Sequence, residues 1–445
     1  MSKRIVVLGA GESGSGAAIL AKEKGFDVFV SDYGTITEPY RALLDQNGVT
    51  WEDGKHSEEL ILNADEVIKS PGIPLTAPLI QKLQAQGTPI ISEIEFAARY
   101  TNAKMICITG SNGKTTTTSL IYYILRNAGL NVGLAGNIGN SLALQVAHEQ
   151  HDYYVIELSS FQLDNMYDFK ADIAILLNIT PDHLDRYGYD LQNYVNAKFR
   201  ITQNMAAEDC FIFCSDDEIT IKNLNQIVIK AQMLPISQEK EVEVGAYALD
   251  GHMWVNYGSD PYEMEISDLT IQGRHNVYNS MAAALTGKLM NIKNDNIRKA
   301  LTSFMPVEHR MEKVLSVGGV LYINDSKATN VNSTWYALEC MTTPVVLILG
   351  GKDKGNDYSP LFDLVRDKVR AIVCMGVDNA KIHAAFEDKV DTIVDTMSAP
   401  EAVKAASQLA VEGDTVLLSP CCASFDLFKS YEDRGRQFKE AVRNL

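Results

Sequence analysis

The sequence predicts an α/β protein of three domains built on largely parallel sheets. Three short apolar runs, at residues 4–8, 105–109 and 344–349, each lead into glycines, and helical patterns follow at least the first two. Runs of this kind are typical of buried parallel strands, and their alternation with helices implies doubly wound sheets. The length of 445 residues also suggests about three domains, at roughly 150 residues each.

Two breaks in the pattern give the expected domain boundaries. One lies near residues 96–101, just before the second glycine-rich strand, and the other near residues 304–306, after a helical pattern at 294–303. We therefore expect a Rossmann-like N-terminal domain at residues 1–97. A central P-loop ATPase-like parallel-sheet domain would follow at 98–303, and a C-terminal Rossmann-like domain at 304–445.

Composition excludes several classes of protein. The net charge of −17 argues against a nonspecific nucleic-acid binder, which needs a cationic surface. The apolar stretch within residues 1–14 is too short for a signal peptide, and no run approaches the ~18 apolar residues of a membrane span. Seven cysteines without a Cys-x-x-Cys pair disfavour a disulfide scaffold or a structural zinc site, so we expect a cytoplasmic protein.

The first glycine loop, Gly9-Ala10-Gly11-Glu12-Ser13-Gly14, lies between a predicted strand and a helical stretch at residues 16–24. Glycines permit the tight turn, and the N-terminus of the new helix offers N–H groups to an anion. Asp32 ends the next predicted strand, where a carboxylate can accept from a sugar hydroxyl. The pattern matches the dinucleotide fingerprint, so a nicotinamide or flavin enzyme and a purely structural turn both remain open.

A second glycine loop follows the apolar run at residues 105–108 and precedes a helix-like segment at 118–126. Phosphate binding requires a nest of backbone N–H groups, a lysine for the terminal phosphates and a hydroxyl for Mg²⁺. Two residues, not the usual four, separate the loop's glycines, but its context favours phosphate binding. The loop reads Gly110, Ser111, Asn112, Gly113, Lys114, Thr115 and Thr116.

Polar residues follow two further predicted strands. The run at residues 152–156 ends at Glu157, a carboxylate well placed for Mg²⁺. The run at 173–177 leads into a polar cluster at 178–185, where open α/β sheets place their ligands. His183 could be an ordinary loop histidine, but its position between Asp182 and Asp185 favours a functional role.

These motifs resemble those of the Mur ligase family, whose phosphate loop has the same shortened form. The resemblance covers essentially the whole chain. Diaminopimelate-adding members carry an Asp-Asn-Pro-Arg motif that this sequence lacks, and folate-directed ligases lack the stretch 325–330 as written here. The chain is therefore similar to the members that add D-glutamate. Further matching segments are Gly136–Gly139, Glu157–Ser160, Asn178–Asp185, Ala197-Lys198, His275-Asn276, Asn279, His309-Arg310, Asp325–Asn330 and Ser419–Asp426.

The resemblance implies an ATP-dependent amide ligase of peptidoglycan precursor synthesis. ATP would phosphorylate the L-alanyl carboxylate of UDP-N-acetylmuramoyl-L-alanine, and the amine of D-glutamate would attack the acyl phosphate. The expected protein is a monomer with these three small-molecule substrates, no nucleic-acid partner and no membrane span. Two rival classes are a nicotinamide-dependent oxidoreductase and a nucleotide-binding switch or scaffold.

The resemblance also implies the roles of individual residues. The catalytic residues would be Lys114, Glu157, His183 and Lys198. The UDP group would contact Glu12, Ser13, Asp32, Gly72, Asn137 and His183. ATP would contact the second glycine loop, Asn276, Arg310 and Asp325. D-glutamate would contact Lys327, Thr329, Lys354 (with Lys352 as the alternative), Ser424 and Tyr431, where phenylalanine would also serve. Two Mg²⁺ ions would be held by Thr115, Glu157, His183 and Lys198.

Lys198 is the residue on which sequence and resemblance disagree most. The surrounding helical stretch at residues 191–202 is rich in polar residues, which favours a solvated surface lysine. The resemblance instead implies an N-carbamylated lysine, an anion made with CO₂ that would act as an oxygen ligand for the second Mg²⁺.

Overall fold

The computed structural model describes residues 2–305, 308–353 and 355–445. They form two compact units, one comprising Met1–Asp268 with Tyr278–Thr302 and the other Leu269–Val277 with Ser303–Leu445. None of the helices in these described ranges has both the length and the apolar character of a membrane span. All seven cysteines fall within the described ranges, and all are free thiols.

The first sheet of the first unit is wholly parallel, with strand order β3-β2-β1-β4-β5. Its central strand, β1, is apolar because both of its faces are covered, and Ile5 and Val7 are fully buried. The strands are β1 (Arg4–Leu8), β2 (Asp27–Ser31), β3 (Thr50–Glu52), β4 (Glu66–Lys69) and β5 (Ile90–Ile91). The helices are α1 (Glu12–Glu23), α2 (Glu38–Gln46), α3 (Glu58–Ile61), α4 (Pro78–Ala85) and α5 (Glu93–Ala98).

The second sheet has the order β14-β13-β12-β11-β10-β9-β6-β8-β7. It is parallel from β7 to β12, and an antiparallel meander, β12-β13-β14, extends one edge. The strands are β6 (Lys104–Thr109), β7 (Val132–Gly136), β8 (Tyr153–Glu157), β9 (Ile173–Leu176), β10 (Cys210–Cys214), β11 (Gln232–Ser237), β12 (Gly245–Leu249), β13 (His252–Asn256) and β14 (Tyr262–Glu265). The helices of this stretch are α6 (Lys114–Asn127), α7 (Leu142–His148), α8 (Ser160–Leu163), α9 (Leu191–Phe199), α10 (Glu218–Leu224), α11 (Arg274–Leu289) and α12 (Asn294–Leu301).

The third sheet, in the second unit, has the order β15-β16-β20-β17-β18-β19. All neighbouring strands are parallel except β15, which runs antiparallel to β16. The strands are β15 (Glu312–Val317), β16 (Val320–Asn324), β17 (Val345–Gly350), β18 (Val369–Met375), β19 (Ile393–Thr396) and β20 (Thr415–Cys421). The helices are α13 (Val331–Glu339), α14 (Phe362–Lys368), α15 (Ala380–Phe386), α16 (Ala399–Leu409) and α17 (Tyr431–Arg443).

The sheet order determines which polar segments meet. In the second sheet β6 lies between β8 and β9, so the second glycine loop, Glu157 and the cluster after β9 emerge side by side. In the third sheet the carboxyl ends of β16, β20 and β17 are adjacent for the same reason. Because ligands bind beyond the carboxyl ends of parallel strands, these two edges are the candidate sites. The predicted α/β class with parallel sheets is confirmed, and the antiparallel edge strands are an addition that the sequence pattern did not predict.

Candidate active site

The second glycine loop connects β6 directly to α6, which begins at Lys114. Gly110 has φ 150° and Gly113 has φ 84°, conformations that side-chain-bearing residues rarely adopt. A Cβ atom on Gly113 would lie 2.4 Å from Oδ1 of Asn279, so close packing also requires glycine there. The loop therefore has the backbone geometry that the phosphate-binding prediction needs.

Two lysine side chains converge on one backbone oxygen of this loop. Lys114 Nζ donates to the carbonyl oxygens of Gly110 and Ser111, both at 2.9 Å. Lys198 Nζ donates to the same Gly110 oxygen at 2.7 Å. Burial, with the nearby Lys114 charge, holds the pKa of Lys198 well below its usual range. This lowered pKa favours the neutral form of the amine.

The interpretation of Lys198 as a solvated surface lysine is therefore wrong. Lys198 is only 1% exposed, and its Nζ lies 4.6 Å from the ring centroid of Tyr194. Helix α9 is polar in composition, but it buries one face that includes Tyr194, Val195 and Phe199. Composition averages over both faces of a helix and so conceals a buried position of this kind.

The polar cluster after β9 holds the glycine loop in place. Asn178 Oδ1 accepts from the Asn112 backbone N–H at 2.9 Å, and its Nδ2 donates to the Asn112 carbonyl at 3.2 Å. Ser111 Oγ donates to the Thr180 carbonyl at 2.9 Å and lies 3.0 Å from the Tyr194 hydroxyl. The side chains of Ser111 and Asn178 thus shape the loop, and the Ser111 and Asn112 N–H groups are already used in that support.

Glu157 presents an oxygen suited to a cation. The residue is 1% exposed, and its Oε1 accepts from Asn137 Nδ2 at 2.9 Å. Its Oε2 is buried without a hydrogen-bond partner among the described residues. A buried carboxylate oxygen in this condition is costly unless a cation or another donor pairs with it. Thr115, in the first turn of α6, is also buried, at 3% exposure.

His183 follows β9 in a left-handed backbone conformation, with φ 53° and ψ 29°. Its Nε2 lies 3.8 Å from Asp182 Oδ2. Its ring packs edge-on against the Phe161 ring, with 5.2 Å between the ring centroids. With 36% of the side chain exposed, the imidazole is accessible to a ligand while the Phe161 contact limits its movement.

In the first sheet, the residues predicted to bind UDP surround the first glycine loop. Asp32 accepts from the Ala10 N–H at 2.7 Å through Oδ2 and from the Gly34 N–H at 2.8 Å through Oδ1. Glu12 accepts from the Tyr40 hydroxyl at 3.2 Å and from the Ser141 N–H at 3.1 Å. Asp32 therefore supports the loop itself, whereas Glu12 connects the start of α1 to Tyr40 and Ser141; both remain candidate ligand contacts. Ser13 is partly exposed in the first turn of α1.

The turn at Gly72 is supported by two cations that sequence reasoning missed. Arg186 donates to the Gly72 carbonyl at 3.3 Å and to the Pro71 carbonyl at 3.4 Å. Lys69 Nζ donates to the Ser70 and Ile73 carbonyls at 3.1 and 2.8 Å. Burial, with the nearby Arg186 charge, lowers the pKa of Lys69 to about 8. The only signal in the sequence was position: Lys69 directly precedes the Gly72 turn, and Arg186 directly follows the polar cluster at 178–185.

In the second unit, Asp325 and Arg310 are the residues that the motifs predict to contact the nucleotide. Asp325 Oδ2 accepts from Ser419 Oγ at 2.9 Å, and Oδ1 accepts from the Met311 N–H at 3.2 Å. Burial raises the pKa of Asp325 to about 6, although the Arg310 charge opposes the rise. The Nε of Arg310 is buried without a hydrogen-bond partner among the described residues, which suits an incoming oxyanion.

Asn276 also groups with the second unit. The residue is 8% exposed, and its Nδ2 donates to the Gln272 carbonyl at 2.8 Å. Its neighbour His275 packs on the Tyr336 ring at 5.1 Å, and burial lowers the pKa of His275 to about 4. The Asn276 amide and the neighbouring His275 ring are therefore held in a packed environment, which suits contact with an adenine base.

The predicted D-glutamate residues follow β16 and β20. Lys327 Nζ lies 5.3 Å from the ring centroid of Tyr431, so the aromatic ring itself makes this contact. Ser424 is 2% exposed. Thr329 precedes α13, and its N–H donates to the Lys327 carbonyl at 2.9 Å. The Lys352 N–H donates to the Ala423 carbonyl at 2.8 Å, whereas Lys354 lies outside the described residues.

Arg434 is a further residue that sequence reasoning missed. It is fully buried, and it donates to the Ser326 oxygens, to Gly350 O at 3.4 Å and to Cys422 O at 3.2 Å. One guanidinium thus connects the carboxyl ends of β16, β17 and β20. No local signal marks it, because α17 is polar along most of its length. Close by, a cavity of about 290 Å³ is lined by Gly351, Asp353, Gly355, Tyr358, Asp378, Lys381, Ile382 and Cys422.

Comparison with known families matches all three parts of the chain. The Mur ligase MurD-like N-terminal domain matches residues 3–92, the Mur ligase middle domain residues 108–287 and the Mur ligase glutamate ligase domain residues 309–422.

Curated relatives match the chain along its full length. A UDP-N-acetylmuramoylalanine–D-glutamate ligase of Bacteroides fragilis is 63% identical, with 100% of both chains covered. A protein of the same name from Porphyromonas gingivalis is 55% identical, covering 99% of this chain and 98% of the relative.

Solved structures are similar in fold. The UDP-N-acetylmuramate-alanine ligase of Thermotoga maritima gives a TM-score of 0.63 at 19% identity, with 100% of both chains covered. The MurF ligase of Thermotoga maritima in complex with ADP gives a TM-score of 0.61 at 15% identity, covering 94% of this chain and 95% of that one.

Proposed function

The chain belongs to the Mur ligase family, and we propose that it adds D-glutamate to UDP-N-acetylmuramoyl-L-alanine, converting ATP to ADP and phosphate, in peptidoglycan precursor synthesis. The observation that carries the proposal is the full-length match, at 63% identity, to a ligase named for this reaction. The chemistry is amide formation, and the carboxylate must be activated first because direct condensation with an amine is unfavourable in water.

The proposed division of labour follows the three sheets. Residues 1–97 would bind the UDP group, residues 98–303 would bind ATP, and residues 304–445 would supply the ribose and amino-acid contacts. Polar side chains at the carboxyl ends of the parallel strands in each part support this assignment.

In the proposed reaction the glycine loop positions the phosphates of ATP. The backbone N–H groups from Gly113 to Thr116 would surround the β-phosphate, and Lys114 would exchange its two carbonyl partners for phosphate oxygens. Phosphoryl transfer depends mainly on positioning and on neutralising charge, so a lysine already held at the loop suits the task.

The donor set fits Mg²⁺. Oxygen ligands are what this cation prefers, and the unpartnered buried Oε2 of Glu157 is such an oxygen, with Thr115 following Lys114 in the first turn of α6. We propose that Glu157 and Thr115 hold one ion and that His183 and carbamylated Lys198 hold a second. When bound, the ions would supply charge neutralisation to the transferring phosphoryl group.

The environment of Lys198 supports its carbamylation. Only a neutral amine adds CO₂, and burial beside Lys114 lowers the pKa of Lys198 in that direction. The addition forms an N–C bond and releases one proton to solvent, giving a carboxylate. That carboxylate would convert a buried base into an anionic oxygen ligand.

The second unit would bind ribose through Asp325, a phosphate or ribose oxygen through Arg310 and adenine beside Asn276. D-glutamate would lie near Lys327, Thr329, Ser424 and Tyr431. The stacking of Lys327 on the Tyr431 ring supports this pocket, because it places a cation where a substrate carboxylate can pair with it.

An amino-acid panel tests the proposed function. Purified protein, ATP, Mg²⁺ and UDP-N-acetylmuramoyl-L-alanine are mixed with D-glutamate, L-glutamate, L-lysine or meso-diaminopimelate, and phosphate release is measured. We expect release with D-glutamate that requires both substrates, and poor release with the others. Preference for a diamino acid would refute the assigned substrate, and release independent of the acceptor would favour a nucleotide switch. We further propose that the enzyme is cytoplasmic and that it is a monomer. Light scattering, which measures molar mass, tests the oligomeric state.

A further inference from the structure

Three metal-ligating side chains from different elements meet at one edge of the third sheet. Cys374 lies on β18, Asp395 is its direct register partner on β19, and His383 lies on α15. One ligand atom from each residue lies within 4.8 Å of the other two. His383 Nε2 is 3.1 Å from both carboxylate oxygens of Asp395. Register places the thiol and the carboxylate on the same face, and the helix places the imidazole over them.

We infer that Cys374, His383 and Asp395 bind a divalent transition-metal ion of the zinc class, separately from the magnesium used in ligation. A sulfur, an imidazole nitrogen and a carboxylate oxygen form a donor set typical of Zn²⁺. Mg²⁺ prefers oxygen ligands only, so the soft sulfur disfavours it. The site lies on residues that the ligase reaction does not use.

Solvent exposure at the site increases from the cysteine to the histidine to the aspartate. Cys374 is completely buried, whereas the His383 and Asp395 side chains are 37% and 58% exposed. An ion arriving from solvent would therefore meet the carboxylate and the imidazole first, and the buried sulfur would complete the set from below. Three protein ligands leave a fourth tetrahedral position for water. Binding replaces the S–H bond with a metal–sulfur bond, and the proton passes to solvent.

Asn379 supports the geometry from outside the ligand set. Its Nδ2 donates to Asp395 Oδ1 at 3.0 Å and to the Gly376 carbonyl at 3.1 Å. Hydrogen bonds of this kind orient a ligating carboxylate and typically affect metal affinity by about 10–100-fold. Helix α15, which carries His383, also carries Lys381 and Ile382 in the wall of the 290 Å³ cavity. A bound ion would therefore link that wall to β18 and β19.

Cobalt binding to the full-length chain tests the inference. Co²⁺ is titrated in the presence of excess Mg²⁺, which occupies oxygen-only sites, and the thiolate-to-cobalt charge-transfer band is recorded. We expect one equivalent of Co²⁺ to give the band, and Zn²⁺ to displace it. Cys374→Ala should abolish the band, and His383→Ala and Asp395→Asn should each weaken binding by at least about tenfold, as loss of a ligand or its support does.

Cys340→Ser is the matched control. Its Sγ lies 4.0 Å from His275 Nδ1, so it removes the thiol of another cysteine–histidine pair. The band should survive this change. Absence of binding to the unmodified protein, or a band that persists in Cys374→Ala, overturns the inference. The melting temperature of each protein is also measured without and with added Zn²⁺. Zn²⁺ should raise it in the parent and in the control but not in Cys374→Ala. Stabilisation that persists in Cys374→Ala would equally refute the site.

Discussion

Lys198 combines an amine of lowered pKa with a direct hydrogen bond from α9 to the Gly110 carbonyl of the phosphate loop. If it is carbamylated, Lys198→Ala loses both a metal ligand and a negative charge. We expect turnover to fall by at least about 100-fold, since charge stabilisation by bound metal contributes several kcal/mol. Acetate or formate in excess should restore part of the activity by filling the space with a carboxylate. Phosphate release measures both effects.

Lys198→Arg separates the two interpretations of this residue. Arginine keeps a cation but cannot be carbamylated, so it should be as inactive as the alanine variant. Lys222→Ala, which removes an exposed lysine from α10, serves as the control and should leave turnover unchanged. Near-normal activity of Lys198→Arg would show that a cation is sufficient and would refute the carbamate.

Lys114 lies in the first turn of α6 and donates to two loop carbonyls. We expect Lys114→Ala to abolish detectable turnover while the protein stays folded, because the glycine geometry and the Asn178 contacts still shape the loop. Phosphate release gives the activity, and thermal unfolding gives the fold. Substantial turnover by a folded variant would remove the assigned role of the glycine loop.

At the scale of elements, helix α7 is anchored by a buried carboxylate. Glu93, at the start of α5, accepts from Ser141 Oγ at 2.7 Å and from the Ala143 N–H at 2.6 Å. Burial raises the pKa of Glu93 to about 7. Helices α1 and α7 also pack so closely that a Cβ on Gly16 would lie 2.1 Å from Ser141 Oγ. The turn that carries Asn137 directly precedes this packed helix.

The raised pKa of Glu93 makes stability depend on pH. The ordinary pKa of a glutamate is 4.5, and that of folded Glu93 is about 7. Between these two pH values the folded state keeps a proton that the unfolded state has released. Stability from this group therefore falls as the pH rises through that window. Glu93→Gln carries no titrating proton, so its melting temperature should rise relative to the parent's between pH 5 and pH 8. A constant difference across this range would contradict the assigned pKa.

The elements show what the sequence could and could not predict. Strands β1, β6 and β17 and their glycines were predicted, because a buried parallel strand is apolar throughout. Strand β14 was missed, since its alternating burial over Tyr262–Glu265 is too short to stand out. The bracing of the loop by Asn178 and the central role of Arg434 depend on contacts between residues far apart in the chain, which no local pattern encodes.

At the scale of the whole molecule, the ligand bound at the first glycine loop would distinguish a ligase from an oxidoreductase. Both carboxylate oxygens of Asp32 accept backbone N–H groups within the loop region, so the fingerprint has a structural role whichever ligand it binds. We expect the full-length chain to bind UDP-N-acetylmuramoyl-L-alanine and not NAD. Calorimetry with each ligand measures this, and tight NAD binding without binding of the UDP-linked substrate would reverse the assignment.

Lys114 and Lys198 both donate to the Gly110 carbonyl, and this shared acceptor affects the charge of the pair. Two ammonium groups directed at a single oxygen repel each other, and the low pKa of Lys198 indicates which of them yields. The positive charge of Lys114 thus helps to favour the neutral form of Lys198. Lys114 is held in the loop where a phosphate oxygen would bind, and the lowered pKa of Lys198 favours the neutral amine that reacts with CO₂. Two identical side chains that share one acceptor are thus suited to different tasks.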